Sequence, residues 1–235
     1  MIEQPRENDG HHRLETHAAS EADLDHLSSL ASFLPARTLA AWRTLAPVVP
    51  PVAYLSGGTA LTAHLQHRVS RDLDFFTENQ FDVRALSEAL NTVGTFAPTL
   101  AEEGTLNGIF EDTKVQFLDA SSQQLLEPTT QFGGVRLASL ADVLATKLKV
   151  IQDRGALRDY FDLMVLDEYI SIEEGLNLLV QKYRPVAAAG VIANVVRGLG
   201  FLDDVEDDPS LPLPRKDIET FWARRQPEVV KTIAL

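Results

Sequence analysis

The sequence has 235 residues, 45 % hydrophobic and 23 % charged, an ordinary balance for one large or two small globular domains. It has no cysteine, which excludes a disulfide framework and a thiolate metal site, and no apolar run near the roughly 20 residues of a membrane helix. A net charge of −13 argues against broad, sequence-independent binding to nucleic acid, which relies on Lys and Arg to neutralise phosphates.

Residues 1–20 read as a polar tail unlike a signal peptide, and with the absence of thiols they fit a cytoplasmic protein. His11-His12 is too short a cluster to read as a metal site. Ser20, with Asp23 three residues on, is a helix start leading through Leu24, Leu27 and Leu30 to Pro35. A second helix, 38–45, carries Leu39, Trp42 and Leu45 on one side, and Pro47, Pro50 and Pro51 break the chain before a strand at 52–56.

The stretch 54–77 is the most informative. It predicts a strand to Ser56, a tight turn at Gly57-Gly58, a helix from Thr59 to about Gln66, and a strand carrying Asp72-Leu73-Asp74. Strand alternation puts Asp72 and Asp74 on one face, where two carboxylates call for a cation between them. Gly57 and Gly58 let backbone approach a ligand, and the helix behind them offers free N–H groups to a phosphate. Ser56 and Thr59 suit phosphate binding or helix capping, with capping the expectation for Thr59. His64, among Ala60, Leu61 and Leu65, reads as a core histidine; His67 and Arg68 suit the helix C-terminus.

Farther on, 81–93 has helical spacing, and 105–110 with 114–118 reads as a strand pair around Glu111-Asp112-Thr113. Ser139 with Asp142 resembles a capping box, and Leu140, Val143, Leu144, Leu148 and Ile151 fill one arc of a helix. Lys147 and Arg154 fall inside that arc, where a charge must be paired, reach a site, or snorkel to water. Gly155 allows a bend before Arg158, Asp159 and Asp162, the two aspartates lying at i, i+3. Helices are expected over 171–198 and 216–231; the acidic run Asp203 to Asp208 reads as a solvated loop. No P-loop is present. The Asp-x-Asp-x-Thr pattern of haloacid-dehalogenase phosphatases fails, since Phe76 stands where Thr belongs.

Three groups of residues together resemble the AbiEii/AbiGii toxin nucleotidyltransferases of the polymerase-beta-like superfamily. They are Gly57-Gly58-Thr59-Ala60-Leu61, then His67-Arg68-Val69-Ser70 with Asp72-Leu73-Asp74-Phe75-Phe76, and then Lys147, Asp153-Arg154-Gly155 and Arg158-Asp159-Tyr160-Phe161-Asp162-Leu163. The resemblance spans about 52–214. It implies an α/β (α+β) fold: a tail with helices over 1–49, a core over 50–135 with a small mixed sheet and flanking helices, and a mainly helical part over 136–235 completing the cleft. It implies transfer of a nucleotidyl group from an NTP to an RNA (tRNA) or protein acceptor by a toxin of a toxin–antitoxin or phage-defence system. Mg²⁺ or Mn²⁺ would sit on Asp72 and Asp74. Ser56, Gly57, Gly58, Thr59, Arg68, Lys147 and Arg154 would bind nucleotide, and Asp159 or Asp162 would support catalysis. A cognate antitoxin is the implied partner. The superfamily's third carboxylate is replaced by Gln116, with Asp119 three residues on as a substitute that could lean in. That departure favours, as the alternative, a non-catalytic nucleotide- or partner-binding module, or an accessory protein or antitoxin.

Overall fold

The computed structural model describes residues 27–153 and 155–233. The expected helix start at Ser20, the pair His11-His12 and Arg154 lie outside them. Eight helices and seven strands are formed by the described residues. Helix α1, Ala36–Leu45, buries Leu39, Trp42 and Leu45 as its spacing requires. The Trp42 indole donates to the Gly133 carbonyl at 3.0 Å, fastening α1 to the far edge of the sheet.

Strand β1 (Ala53–Ser56) runs straight into α2 (Gly57–Leu65), so the expected turn at Gly57-Gly58 is the first turn of the helix itself. Gly57 makes this possible with φ +64°, a left-handed conformation that side chains disfavour. Left-handed Gln66 ends α2, and the chain returns through β2 (Leu73–Thr77), antiparallel to β1. Asp82 caps α3 (Val83–Val93) by accepting from the N–H groups of Arg84 and Ala85, each at 2.9 Å.

Strands β4 (Thr105–Phe110) and β5 (Thr113–Asp119) form the expected hairpin. Glu111 and Asp112 both adopt positive φ in its two-residue turn, which matches the twist of the strands. Three strands carried no readable signal. Strand β3 (Phe96–Glu102) is exposed along all but its first residue, and β6 (Thr130–Phe132) and β7 (Val135–Leu137) are three residues each. The sheet order is β3-β4-β5-β2-β1-β7-β6. Its pairings are mixed: β1 is parallel to β7 and β2 to β5. The sheet thus ends at Leu137, two residues past the expected core boundary at 135.

Alternation sorts β2 and β5. Leu73, Phe75, Val115 and Phe117 are fully buried, and Phe75 stacks on Phe117 with centroids 4.9 Å apart. Asp74, Phe76, Gln116 and Leu118 point the other way and are only half-buried. Helices α4 (Leu140–Asp153) and α5 (Leu157–Leu166) follow, then α6 (Ile172–Tyr183), α7 (Ala188–Leu199) and α8 (Arg215–Ile233). Ser139 accepts from the Asp142 N–H at 3.1 Å, as a cap should. The Asp142 carboxylate, however, turns to the buried Lys182 ammonium (2.7 Å) and the Leu126 N–H (3.1 Å), pinning the loop before β6 to α4 and α6. The Trp222 indole donates to the Tyr160 carbonyl at 3.1 Å, and Arg225 binds Asp167 and Glu173, so α8 clamps α5 and α6.

Candidate functional site

The half-buried face of β2 and β5 floors a cleft of about 320 Å³. Gly57 and Gly58 from α2 wall one side, and Thr146, Lys147 and Val150 from α4 the other. Arg68 to Asp72 line it between α2 and β2, and Arg158, Asp159, Asp208 and Ser210 close it from the C-terminal part.

Asp72 lies one residue before β2 and Asp74 inside it, and both line this cleft. The Thr59 hydroxyl donates to the Asp72 carbonyl at 2.5 Å and sits 2.8 Å from the Ser70 hydroxyl, locking the loop that carries Asp72 onto α2. Thr59 does not cap the helix because α2 begins at Gly57 and Thr59 lies inside its first turn; Ser56, the residue at the cap, makes no side-chain bond there either. Ser56 and Thr59 are buried outside the cleft wall, while the N-terminus of α2 is left without a side-chain cap.

The glycines are required by closeness. A Cβ on Gly57 would stand 2.8 Å from an Asp74 carboxylate oxygen, and one on Gly58 2.5 Å from Arg68 Nη2. Asp74 has its carboxyl pushed up by burial and by the charge of Asp72, partly offset by Lys147, Lys114 and Arg158.

Behind the cleft wall sits Asp162, fully buried, with four donor contacts. Arg68 Nε and Nη2 grip it at 2.6 and 2.8 Å, His67 Nε2 lies 2.7 Å away, and Lys147 Nζ 2.7 Å. Lys147 also donates to Asp159 at 2.6 Å, and the other Asp159 oxygen accepts from the Ala156 N–H at 3.0 Å. Lys147 is 7 % exposed and does not snorkel. Burial alone would lower the Lys147 and Arg68 values; Asp162, joined at Lys147 by Asp159, holds both above the usual range. Burial likewise opposes ionisation of Asp162, but Lys147, Arg68 and His67 win and hold it far below a normal carboxylate. Of the two helical aspartates, Asp159 faces the cleft and Asp162 orients the cations that do.

Gln116 pairs in register with Asp74 and lines the cleft where a third carboxylate was expected. Asp119 cannot substitute for it. Three residues along a strand is an odd step, which turns a side chain to the other face, and Asp119 instead accepts from the Ser121 N–H at 2.7 Å. Among the described residues no three His, Cys, Asp or Glu side chains are grouped to hold a metal. His64, expected in the core, is only half-buried, and its Nε2 lies 2.8 Å from the Ala138 carbonyl.

Helical spacing could have found Val150, three residues from Lys147, and strand alternation Phe76 and Leu118. No local spacing pointed to Asp208 and Ser210, which reach the cleft from the acidic run read as a solvated loop.

This geometry coincides with a family assignment. The sequence profile described as "Nucleotidyl transferase AbiEii toxin, Type IV TA system" matches residues 43–114 and 109–227. The chain belongs to the AbiEii nucleotidyltransferase toxin family. Its glycine helix, paired aspartates, Lys147 and Asp162 all lie within the matched segments. An uncharacterised protein of Aquifex aeolicus is 28 % identical over 174 residues, covering 72 % of this chain and 80 % of that one. Two Helicobacter pylori crystal structures share the fold. A candidate nucleotidyltransferase has TM-score 0.53 and 20 % identity over 92 % of this chain and 98 % of its own. The protein JHP933 has TM-score 0.50 and 18 % identity over 92 % and 95 %. The AbiEii-family chain is therefore a nucleotidyltransferase on a mixed α/β fold. No helix among its described residues is long and apolar enough to cross a membrane.

Proposed function

We propose that the cleft binds an NTP with Mg²⁺ or Mn²⁺ and transfers its nucleotidyl group to a hydroxyl of an RNA (tRNA) or protein acceptor. The protein would act as a toxin in the cytoplasm, paired with a cognate antitoxin and serving phage defence. The observation carrying this reading is the meeting of Asp72, Asp74, Gly57-Gly58 and Lys147 in one cleft.

The donor set fits a hard divalent cation. Mg²⁺ is commonly held by one or two carboxylates plus substrate phosphates, and two carboxylates beside the Gln116 amide supply that. Burial first, and then the charge of Asp72, raises the Asp74 carboxyl, and a cation between the two carboxylates would relieve that repulsion. Held by Asp72 and Asp74, the ion supplies charge neutralisation on the phosphate oxygens. Gly57 and Gly58 let Asp74 and Arg68 pack against the start of α2, whose N-terminus has no side-chain cap and so offers N–H groups to a phosphate, and Lys147 and Arg68, positioned by Asp162, offer positive charge. The acceptor hydroxyl attacks the α-phosphorus in line and gives up its proton to solvent, the bond to the bridging oxygen breaks, and pyrophosphate leaves. Positioning and electrostatics do most of this work.

The test is label transfer from each NTP to total RNA or protein with Mg²⁺ or Mn²⁺. Asp72→Asn/Asp74→Asn should abolish it, and transfer persisting in that variant overturns the assignment. Metal plus NTP should also raise the melting temperature, by an amount equivalent to about 2.7 kcal/mol at a hundredfold excess over Kd. The double variant should lose the metal-dependent part.

Lys147→Met keeps the packing stem and leaves Asp162 bound by Arg68 and His67. It should still fold, with some loss of stability because the Lys147 charge is the largest favourable partner of buried Asp162, and bind NTP more weakly by about 1.5–3 kcal/mol, the scale of a hydrogen bond to a charged group. Parent-like affinity measured by calorimetry would make Lys147 a packing residue.

A further inference from the structure

The floor of the cleft changes character in one strand step. Asp74 on β2 pairs in register with Gln116 on β5, and Phe76 pairs with Leu118. A polar row is therefore followed, about 7 Å along the strands, by an apolar row on the same face. The α4 wall repeats the change: Lys147 and Val150 are i, i+3 neighbours that both line the cleft, and Val150 is 37 % exposed. We propose that this apolar end, formed by Phe76, Leu118 and Val150, seats the nucleobase of the NTP.

The inference rests on the NTP reading above and adds where the nucleoside lies. The step from the polar to the apolar row is the scale on which a ribose separates a base from its α-phosphate. With the phosphates at Gly57-Gly58 and Lys147, the base reaches Phe76. The Phe76 ring is held for this task. It stacks on Tyr54 with centroids 6.0 Å apart and planes 18° from parallel, and Tyr54 is itself buried. A base laid on such a ring extends an existing aromatic pair without ordering a loose side chain.

The same end has little with which to read a base edge. The Thr146 hydroxyl donates its one hydrogen to the Asp142 carbonyl at 2.8 Å and lies 3.3 Å from the Tyr183 hydroxyl, which leaves it no donor and a single acceptor lone pair for a base. Gln116 lies in the polar row. The base is held by its faces, and all four NTPs use the seat alike.

The experiment compares binding of each NTP with binding of inorganic tripolyphosphate, in Mg²⁺, by calorimetry on the full chain. Phe76→Leu keeps apolar volume and removes the ring face; Val150→Ala trims an exposed side chain on the opposite wall. Phe76→Leu should weaken all four NTPs roughly tenfold, as loss of one base–aromatic stack does, with a smaller loss for Val150→Ala. Tripolyphosphate affinity should stay within about twofold in both variants. Equal losses for NTP and tripolyphosphate, or unchanged NTP affinity in both variants, overturn the base seat. A parent that binds tripolyphosphate as tightly as NTP overturns the seat and leaves the phosphate site standing. A parent that binds neither overturns both.

Discussion

Asp162→Ala is expected to destabilise this protein by about 3–5 kcal/mol, the cost of removing one partner from a buried ion cluster. The carboxylate is wholly buried and takes Arg68 through two nitrogens, His67 and Lys147. In the variant Lys147 keeps Asp159, but the Arg68 head is left buried without its counter-charge. Chemical denaturation reads the loss, and Arg68→Met added to Asp162→Ala should recover part of it by removing the stranded charge. A loss under about 1 kcal/mol would mean the cluster is not coupled as its geometry requires. The pH dependence has a definite sign. The folded carboxyl lies below its unfolded value of about 4, so the unfolded chain binds the proton first as pH falls. The contribution is complete above about pH 4 and is lost as pH falls below that toward the depressed folded value. Asp162→Ala should therefore flatten the acid limb of the stability curve.

Gly58→Ala should cut transferase activity about a hundredfold while leaving a folded protein. The added Cβ would stand 2.5 Å from Arg68 Nη2 and 3.3 Å from the Ser70 hydroxyl. A free arginine would swing away, but this one is held by two bonds to Asp162. Either the guanidinium or the first turn of α2 must shift, and a displacement near 1 Å in a reacting site costs about 10²-fold. Overpacking of this kind costs about 1–3 kcal/mol, which the fold survives. Activity within a few-fold of the parent would show that the glycine helix and Arg68 need no fixed spacing.

Much of the catalytic half was legible because its signals are local. Alternation put Asp72 and Asp74 on one face, and both line the cleft although Asp72 lies one residue before β2; the apolar arc around Lys147 announced a lysine needing compensation. The partners of that lysine were less legible. Asp162 meets Arg68 across 94 residues of sequence, and a hydrophobic pattern carries no record of which distant charge fills a hole. The helix terminus explained His67 and Arg68 well enough to hide their real partner. Strand β3 went unread because an exposed edge bearing Pro98 has no apolar alternation. Asp208 was set aside as solvated, since an acidic run looks the same wherever the chain folds it.

The Asp162 cluster also sets when, during synthesis, the cations of the cleft become fixed. Gly57 to Asp74 leave the ribosome early, yet the carboxylates that pair Arg68 and Lys147 lie on α5, and α5 is clamped in turn by Trp222. A nascent chain that stops short of α5 carries both cleft aspartates and lacks the groups that aim its cations. Nucleotide binding by ribosome-stalled chains of increasing length should therefore switch on only once residue 162 has emerged.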